Sequence, residues 1–279
     1  MNIFDLADQN SNNLQEKVQS GQNDQNPIGK FVGFVKDRWT ISINMKPSDL
    51  LKFLSSGRHK NKYEVAREDV EMIRKMGETD VSVEQLMEKR LKGYHEPRTE
   101  FTRVFEDGER FKYGALNIGG LGPTKYGSYC VVIKRERSEE FSVLAFIKED
   151  SLNNYVDGGH VDIERLKHDV ANRECVPILA VIKHRNDVEG LSANECASMV
   201  CCDEHYIEAI TTDDILNKHI NSVRMSKKES SHVEKQFFDV MYRGSSDIEK
   251  RHRIDDFINI RNLLAANRIK LEVLCEDGI

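Results

Sequence analysis

A glutamate in apolar surroundings, Glu208, is the feature of this sequence that most constrains its fold. It lies in the stretch Cys196–Asp214, CASMVCCDEHYIEAITTDD, whose aromatic, β-branched and cysteine residues are typical of buried strands. A carboxylate in a buried strand costs free energy unless it is ion-paired, hydrogen-bonded or used in chemistry. We therefore expect the rest of the chain to supply partners for Glu208 and to position a nucleotide ligand beside it.

The length and the charge balance limit the class of protein. The 279 residues suffice for one large domain with appendages or for two small domains. Hydrophobic residues make up 39% of the chain and charged residues 32%, as in globular proteins with charged surfaces. The formal net charge of -6 excludes the global basic field typical of nucleic-acid-binding proteins. We expect no nucleic-acid partner.

The six cysteines indicate a reducing compartment with unpaired thiols, because they are scattered and form no C-x-x-C pair. No signal peptide is recognisable, and no run approaches the ~20 apolar residues of a membrane span. Cys201, Cys202 and His205 lie close together, but a second pair of ligands at zinc spacing is absent from the sequence. We expect neither a membrane association nor a metal site.

Composition divides the chain into three predicted segments. Residues 1–27 are rich in Asn, Gln, Asp and Ser, and such a segment cannot bury enough apolar surface to offset its ordering entropy, so we expect a disordered leader. Ser226–Ser231 has the composition of a linker, and the pattern beyond it turns helical. An ordered domain is expected over 28–225, and a helical extension over 226–279.

The pattern of apolar residues predicts an α+β fold. Helices are expected from Pro47 to a stop at Gly57 and from about Ser82 onwards. About six to eight strands follow one another without regular crossover helices, which argues against a doubly wound sheet. The predicted strands lie within 31–45, 113–118, 126–134, 141–147, 176–183 and 199–210. Ile215–Val223 is expected to form an edge strand or a short helix.

Several segments resemble ADP-ribosyltransferase-fold proteins, in particular an uncharacterised bacterial group with similar motifs. The order of the motifs, over about residues 30–215, makes the resemblance more specific than any one of them. The resemblance implies a split β-sandwich that grips NAD in a cleft between its sheets, with N-terminal helices and the C-terminal helical extension around it. The segments are TISINMKPSDLL (Thr40–Leu51), SGRHKNKYE (Ser56–Glu64), ERFKYGALNI followed by YGSYCVVIK (109–134) and HYIEAI (His205–Ile210).

Glu208 is the catalytic residue that the resemblance implies, since it occupies the family's aromatic-x-Glu-Ala strand. Cleavage of the nicotinamide–ribose bond builds positive charge on the ribose, which a carboxylate hydrogen-bonded to the 2′-hydroxyl stabilises. The family also places a serine at the start of a middle strand. Ser142, which follows Phe141, fits that position, although the family's Ser-Thr-Ser triplet is missing; Ser128 and Ser151 are alternatives.

The resemblance also implies residues that bind NAD. An arginine or histidine on the first strand would hold the phosphates or the ribose, and Arg38 and Arg58 are the two candidates. Tyr113 and Tyr126 are expected to stack against the nicotinamide, and Ser128 is expected to contact the same cofactor.

The expected activity is therefore NAD-dependent mono-ADP-ribosylation of a protein side chain. Tyr206 stands where a Glu-x-Glu form, linked with arginine acceptors, would have its first glutamate, so an arginine acceptor is disfavoured. The expected location is the cytoplasm, or a host cytosol reached by secretion without a cleaved signal peptide. There the protein would act as a bacterial effector or toxin on a ubiquitin-like or signalling protein.

Two alternatives stay open. The first is an NAD glycohydrolase, with water in place of the protein acceptor. The second is a non-catalytic interaction module built on a degenerate form of the fold. An arginine and a hydroxyl that converge with Glu208 in one cleft would favour an enzyme, whereas a solvent-facing Glu208 would favour the module.

Overall fold

Eight strands form one mixed sheet in the computed structural model of this protein, which describes residues 1–19, 27–77, 80–188, 190–243 and 247–275. A two-stranded ribbon lies outside this sheet. Helices precede, interrupt and follow the strands. The predicted α+β class is confirmed at this coarse level.

The strands of the described chain are short. They are β1 (Thr40–Met45), β2 (Lys112–Asn117), β3 (Tyr129–Ile133), β4 (Ala145–Ile147), β5 (Val156–Asp157), β6 (His160–Val161), β7 (Val170–Ala171), β8 (Glu208–Thr211), β9 (Ile220–Ser226) and β10 (Lys270–Leu274). Strands β5 and β6 form the separate ribbon.

The helices vary in length from one turn to five. They are α1 (Ile3–Gln19), α2 (Pro27–Arg38), α3 (Pro47–Ser56), α4 (Lys62–Lys75), α5 (Val83–Leu91), α6 (His95–Val104), α7 (Arg135–Glu140), α8 (Ser151–Asn154), α9 (Ile163–Asp169), α10 (Val176–His184), α11 (Ala193–Val200), α12 (Lys227–Arg243) and α13 (Ile248–Ala266). None of these described helices combines the length and the apolar character that crossing a membrane requires.

Glu208 lies in the interior of the sheet, whose strand order is β10-β9-β3-β1-β2-β8-β4-β7. Neighbouring strands are antiparallel, except that β9 and β10 are parallel. Strand β8 pairs with β2 on one side and β4 on the other, so that Glu208 lies opposite Ala115 and Ile147.

Side chains that alternate along β8 separate two apolar cores. Ala209 belongs to the larger core, to which α2, α3, α10 and α13 contribute. Ile210 belongs to the smaller core, built with α1, α6 and α9. Glu208, two residues before Ile210, therefore projects toward the face that the smaller core covers.

The glycine-rich loop between β2 and β3 crosses the same face of the sheet. The side-chain amide of Asn44 donates hydrogen bonds to the carbonyl oxygens of Leu121 (3.0 Å) and Gly127 (3.1 Å). Gly122 has φ 67°, and a Cβ there would lie 2.2 Å from Asn44 Oδ1, so no other residue fits without a shift. The loop holds Tyr126 over the face that carries Glu208.

Local signals correctly predicted the unit of β1 and α3. Pro47 lies in the first turn of α3, where its missing N–H is not needed. Gly57 ends the helix with φ 78° in the left-handed region. Ser82 caps α5 by accepting a hydrogen bond from the N–H of Gln85 at 3.2 Å.

The expectation of a disordered leader is wrong for residues 3–19, which form α1, whereas residues 20–26 lie outside the described residues. Ile3 and Leu14 are buried, and so are two polar side chains of the same helix. Asn10 donates to the carbonyl of Val170 at 2.8 Å, and Ser11 Oγ accepts from the N–H of Asn172 at 3.0 Å. Satisfied polar groups can be buried, and composition alone does not reveal this.

Several short apolar runs that were predicted as strands are helices. Residues 31–38 belong to α2, and only the second part of the predicted range forms β1. The run 176–183 is α10, with Pro177 in its first turn, and 199–202 is the end of α11 with the following turn. A short buried helix and a buried strand have the same continuous apolar pattern, so periodicity does not separate them.

The linker expected at 226–231 is wrong, whereas the helices expected beyond it are confirmed as α12 and α13. Strand β9 runs to Ser226 and α12 begins at Lys227, where a linker was expected. Strand β10 follows α13 and pairs with β9 from Lys270↔Ser222 to Leu274↔Ser226. The C-terminal segment thus completes the main sheet, and the eight strands form one sheet in place of the predicted two.

Candidate functional site

The carboxyl group of Glu208 is buried at the start of β8, with 6% of the residue exposed. It accepts a hydrogen bond from the backbone N–H of Ser151 at 3.1 Å. Ser151 begins α8, four residues after the end of β4 at Ile147. It is fully buried. The register of β4 beside β8 brings these two segments together.

Asp150 shapes the same site through a dense set of hydrogen bonds. Its carboxylate accepts from the backbone N–H groups of Leu152 and Asn153 at 3.1 Å and from the hydroxyl of Tyr206 at 2.7 Å. The hydroxyl of Tyr126 also donates to it. Burial acts to raise the pKa of Asp150, but these hydrogen bonds hold it below its ordinary value. Asp150 is therefore an ionised anchor.

Burial raises the pKa of the Glu208 carboxyl to about 8, and the negative charge of Asp150 adds to the rise. The neighbouring Ser151 and the positive charge of Arg98 act in the opposite direction. The two carboxyl groups thus differ at neutral pH, since Asp150 is ionised and Glu208 carries a proton. Such divergence between neighbouring acids is common where catalysis occurs.

Arg98 and Tyr113 form the wall next to Glu208. Arg98 lies on α6 and is 9% exposed, and its guanidinium carbon lies 3.7 Å from the centroid of the Tyr113 ring. Burial raises the pKa of the Tyr113 hydroxyl, and the nearby Glu208 contributes to the rise, whereas Arg98 opposes it. The three side chains therefore share one electrostatic environment.

Three buried polar atoms around Glu208 have no hydrogen-bond partner in the described chain. They are Arg98 Nε, Tyr113 Oη and Ser151 Oγ. The Ser151 hydroxyl lies close enough to the carboxyl to lower the pKa of Glu208, but it makes no hydrogen bond of good geometry. Unpaired buried polar groups are rare in native proteins. Three of the ten such atoms in the described chain cluster beside Glu208, where they leave donors and acceptors unused.

Lys183 holds the two segments of the site together from α10. Its ammonium group donates to the carbonyl of Lys148, to Glu149 Oε2 at 2.8 Å and to the carbonyl of Tyr206 at 2.8 Å. Its side chain is only 6% exposed. Burial lowers the pKa of Lys183, although Glu149 opposes this effect. The contacts fix the end of β4 relative to the start of β8.

The loop residues Lys125 and Tyr126 cover the site. The hydroxyls of Tyr126 and Tyr206 are 3.0 Å apart, and the two rings meet edge to face. Lys125 Nζ lies 5.0 Å from the centroid of the Tyr206 ring and 3.6 Å from Asp150. Tyr126 is 38% exposed, so this segment separates the buried carboxyls from solvent.

Of the residues predicted from the sequence, the structure brings Tyr113 and Tyr126 together with Glu208. Ser142 does not join them. It precedes β4, whereas Glu208 pairs with Ile147 at the other end of that strand. Its Oγ donates to Asp213 at 2.5 Å. The position beside Glu208 belongs to Ser151, which the sequence suggested only as an alternative.

The other three predicted residues also lie away from Glu208. Arg38 ends α2 and stacks over the ring of Phe34 at 4.8 Å, and Arg58 is ion-paired with Glu64 at 2.5 Å and with Asp214 at 3.1 Å. Ser128 lines a surface groove beside α12. The arginine near Glu208 is Arg98 instead, because α6 and not β1 supplies the cation.

Sequence reasoning missed Arg98, Asp150, Lys183 and the role of Tyr206. A signal for Arg98 exists, since it lies at helical spacing from Phe101 and Phe105, which are both buried. An arginine on the apolar face of a helix needs a buried partner. Asp150 had the signal of an N-cap, an aspartate followed by serine after a strand.

Comparisons with known proteins add no assignment to this site. No protein-family model matches the chain, and no curated protein is similar to it in sequence.

Proposed function

We propose that this protein is an NAD-dependent mono-ADP-ribosyltransferase that modifies a protein side chain. The observation that supports the proposal best is the convergence of Arg98, Ser151 and Glu208 beside Tyr113 in one buried site. The residue types are those that the resemblance implies for NAD cleavage, although the arginine and the serine occupy other positions. Their unpaired atoms give the site unused hydrogen bonds for a polar substrate.

Glu208 would act on the ribose next to the nicotinamide. The carboxylate accepts a hydrogen bond from the 2′-hydroxyl and stabilises the positive charge that develops at C1′. The acceptor side chain attacks C1′, and the bond to the nicotinamide nitrogen breaks with its electron pair on that nitrogen. The acceptor loses its proton to the carboxylate. The positive charge lost from the nicotinamide ring therefore equals the proton gained by Glu208, and the total charge is unchanged.

The nicotinamide ring explains how a protonated glutamate becomes active. With a pKa of about 8, Glu208 carries a proton in the free protein at neutral pH. The oxidised nicotinamide ring is positively charged, and a positive charge beside a carboxyl lowers its pKa. Binding of the substrate therefore favours the ionised form that the reaction requires.

Arg98 and Ser151 would position the substrate. The guanidinium is fixed against the ring of Tyr113, and its free Nε suits a phosphate or ribose oxygen. The free hydroxyl of Ser151 can bond the substrate, while its backbone N–H orients Glu208. Since these groups are buried, entry of the substrate requires the segment of Lys125 and Tyr126 to move.

NAD glycohydrolysis is the second candidate, and the enclosed character of the site favours it. Glu208 and Arg98 are both nearly inaccessible, and a water molecule reaches such a site more easily than the side chain of another protein. The chemistry at C1′ is the same, with water as the attacking group.

The test is incubation of the purified protein with NAD labelled in the adenylate group, with and without a eukaryotic lysate. We expect the wild type to release nicotinamide and to transfer label to a lysate protein, and Glu208→Gln to lose at least about a hundredfold in rate. Glu204→Gln, an exposed glutamate of the preceding turn, is the matched control and should keep full activity. Nicotinamide release without labelled protein would select the glycohydrolase. Absence of both products and of NAD binding would overturn the proposal.

A further inference from the structure

A second polar cavity lies apart from Glu208, at the end of the sheet where β9 stops and β3 starts. It is a surface groove of about 420 Å³. The first two turns of α12 form one wall, α13 forms another, and the loop before β3 closes the third side. Its volume lies within the range of small-molecule sites.

Basic side chains from two helices line this groove. Lys228 and His232 lie one turn apart on α12, and Arg253 faces them from α13. Arg253 Nη1 lies 3.0 Å from His232 Nε2, which fixes the guanidinium against α12. The side chain of Lys228 makes no hydrogen bond or ion pair with the described part of the chain. Both cations are thus available to a ligand.

Hydroxyl groups also line the groove. Ser226 Oγ accepts from the N–H of Glu229 at 3.1 Å, and its own hydrogen stays available. The Ser128 hydroxyl has no partner within the described residues. Thr124 differs, because its hydroxyl donates to Asp203 at 3.0 Å. Two hydroxyl donors therefore line the groove together with the two cations.

The charges favour an anion. The lining contains two cations, Lys228 and Arg253, and one acid, Glu229. Its balance is therefore positive, although the chain as a whole has a formal charge of -6. Ammonium, guanidinium and hydroxyl donors together match the oxygens of a phosphate group. A carboxylate, with two oxygens, would use fewer of these donors.

We propose that this groove binds the phosphate or diphosphate group of a small-molecule ligand. The segment from Thr124 to Ser128 links it to the site described above, because its ends line the groove and its middle residues cover Glu208. The phosphate can therefore belong to the substrate nucleotide or to a separate ligand. Either source uses the same donors.

The test is calorimetric titration of the full chain with inorganic pyrophosphate. We expect binding that weakens about tenfold in Lys228→Gln and in Arg253→Gln, since each removes one charged hydrogen bond. Glu229→Gln should bind a few-fold more tightly, because it removes a repelling charge. Lys89→Gln, an exposed lysine of α5, should bind as the wild type does. Thermal melting will verify that each variant is folded.

The source of the phosphate is decided by competition. If NAD displaces pyrophosphate and Lys228→Gln raises the apparent KM for NAD, the groove serves the nucleotide. If pyrophosphate binds unchanged in the presence of NAD, it serves a separate phosphate ligand. Glu208→Gln should bind pyrophosphate normally, so loss of the proposed reaction would leave this result intact. No binding by the wild type, or equal affinity of all variants, would overturn the proposal.

Discussion

At the scale of single residues, the surroundings of Glu208 determine whether its carboxyl group is protonated, and the proposed reaction depends on that protonation. The same carboxyl is surrounded by an ionised aspartate, an arginine and unpaired donors. Its protonation therefore responds to any charge that enters the site. Two measurements, one of activity and one of stability, follow from its raised pKa.

The first prediction concerns the rate of nicotinamide release. The value of kcat/KM should rise about tenfold per pH unit below pH 8 and level off above it, because the free protein must lose the proton of Glu208. The midpoint of kcat should lie at lower pH, since the bound cation lowers the pKa. Steady-state kinetics from pH 5.5 to 9.5 measures both profiles. A flat kcat/KM profile would contradict the role of Glu208.

The second prediction concerns the free energy of unfolding. Between pH 4.5, the ordinary pKa of a glutamate, and pH 8, the native state keeps a proton that the unfolded state has lost. The stability of the wild type therefore falls as pH rises through this window, by up to about 1.4 kcal/mol per pH unit from this group. Glu208→Gln should lack this fall and should gain relative to the wild type at pH 8. Urea unfolding at pH 5 and pH 8 tests it, with Glu204→Gln as the control expected to follow the wild type.

At the scale of elements, local signals were predictable and long-range assembly was not. Pro47 and Gly57 mark α3 by their own backbone preferences, and β2 and β3 flank a loop whose glycines permit its close approach to β1. Tyr113 and Tyr126 were expected near Glu208 because the family resemblance implies an aromatic ring beside the nicotinamide, and they lie in β2 and in this loop. Arg98 was not, because helical spacing puts it on the buried face of α6 but does not indicate which strands that helix covers.

Helix α10 supplies the third prediction. Lys183→Met should destabilise the protein by about 3–5 kcal/mol, because the change leaves Glu149 and two carbonyl groups without their buried donor. It should also lower activity, since those contacts fix the segments of Ser151 and Glu208. Chemical unfolding and nicotinamide release measure the two effects. Ile182→Ala changes a more exposed neighbour and should cost less than about 1.5 kcal/mol; equal losses would argue against the role of Lys183.

At the scale of the whole molecule, the C-terminal helices and the main sheet form one unit. Helix α13 packs on α3, and its Ile260 and Leu264 belong to the larger core. The polar composition of 226–231 suggested a linker. The same polar residues can also begin a helix, and here those from Lys227 onwards form the first turn of α12. The pairing of β10 with β9 depends on residues about 48 positions apart, and no local pattern predicts such a contact.

The fourth prediction tests whether the C-terminal helices and the main sheet unfold together. Leu264→Ala should lower the melting temperature of the entire protein in a single transition and cost about 2–5 kcal/mol, because it opens a cavity in the shared core. Met241→Ala, at a residue 63% exposed on α12, should have little effect. Calorimetry and circular dichroism measure both. Two separate transitions, with only one shifted by Leu264→Ala, would restore the predicted division at residue 226.

The contacts of α1 with β7 have a consequence for aggregation. Strand β7 ends the sheet, and its outward carbonyl at Val170 and the N–H of Asn172 just beyond it would attract a strand from another molecule. Asn10 and Ser11 occupy these two groups with one donor and one acceptor, as a ninth strand would. The polar side chains of α1 therefore block the exposed edge of the sheet, and we expect removal of the first 19 residues to promote self-association through β7.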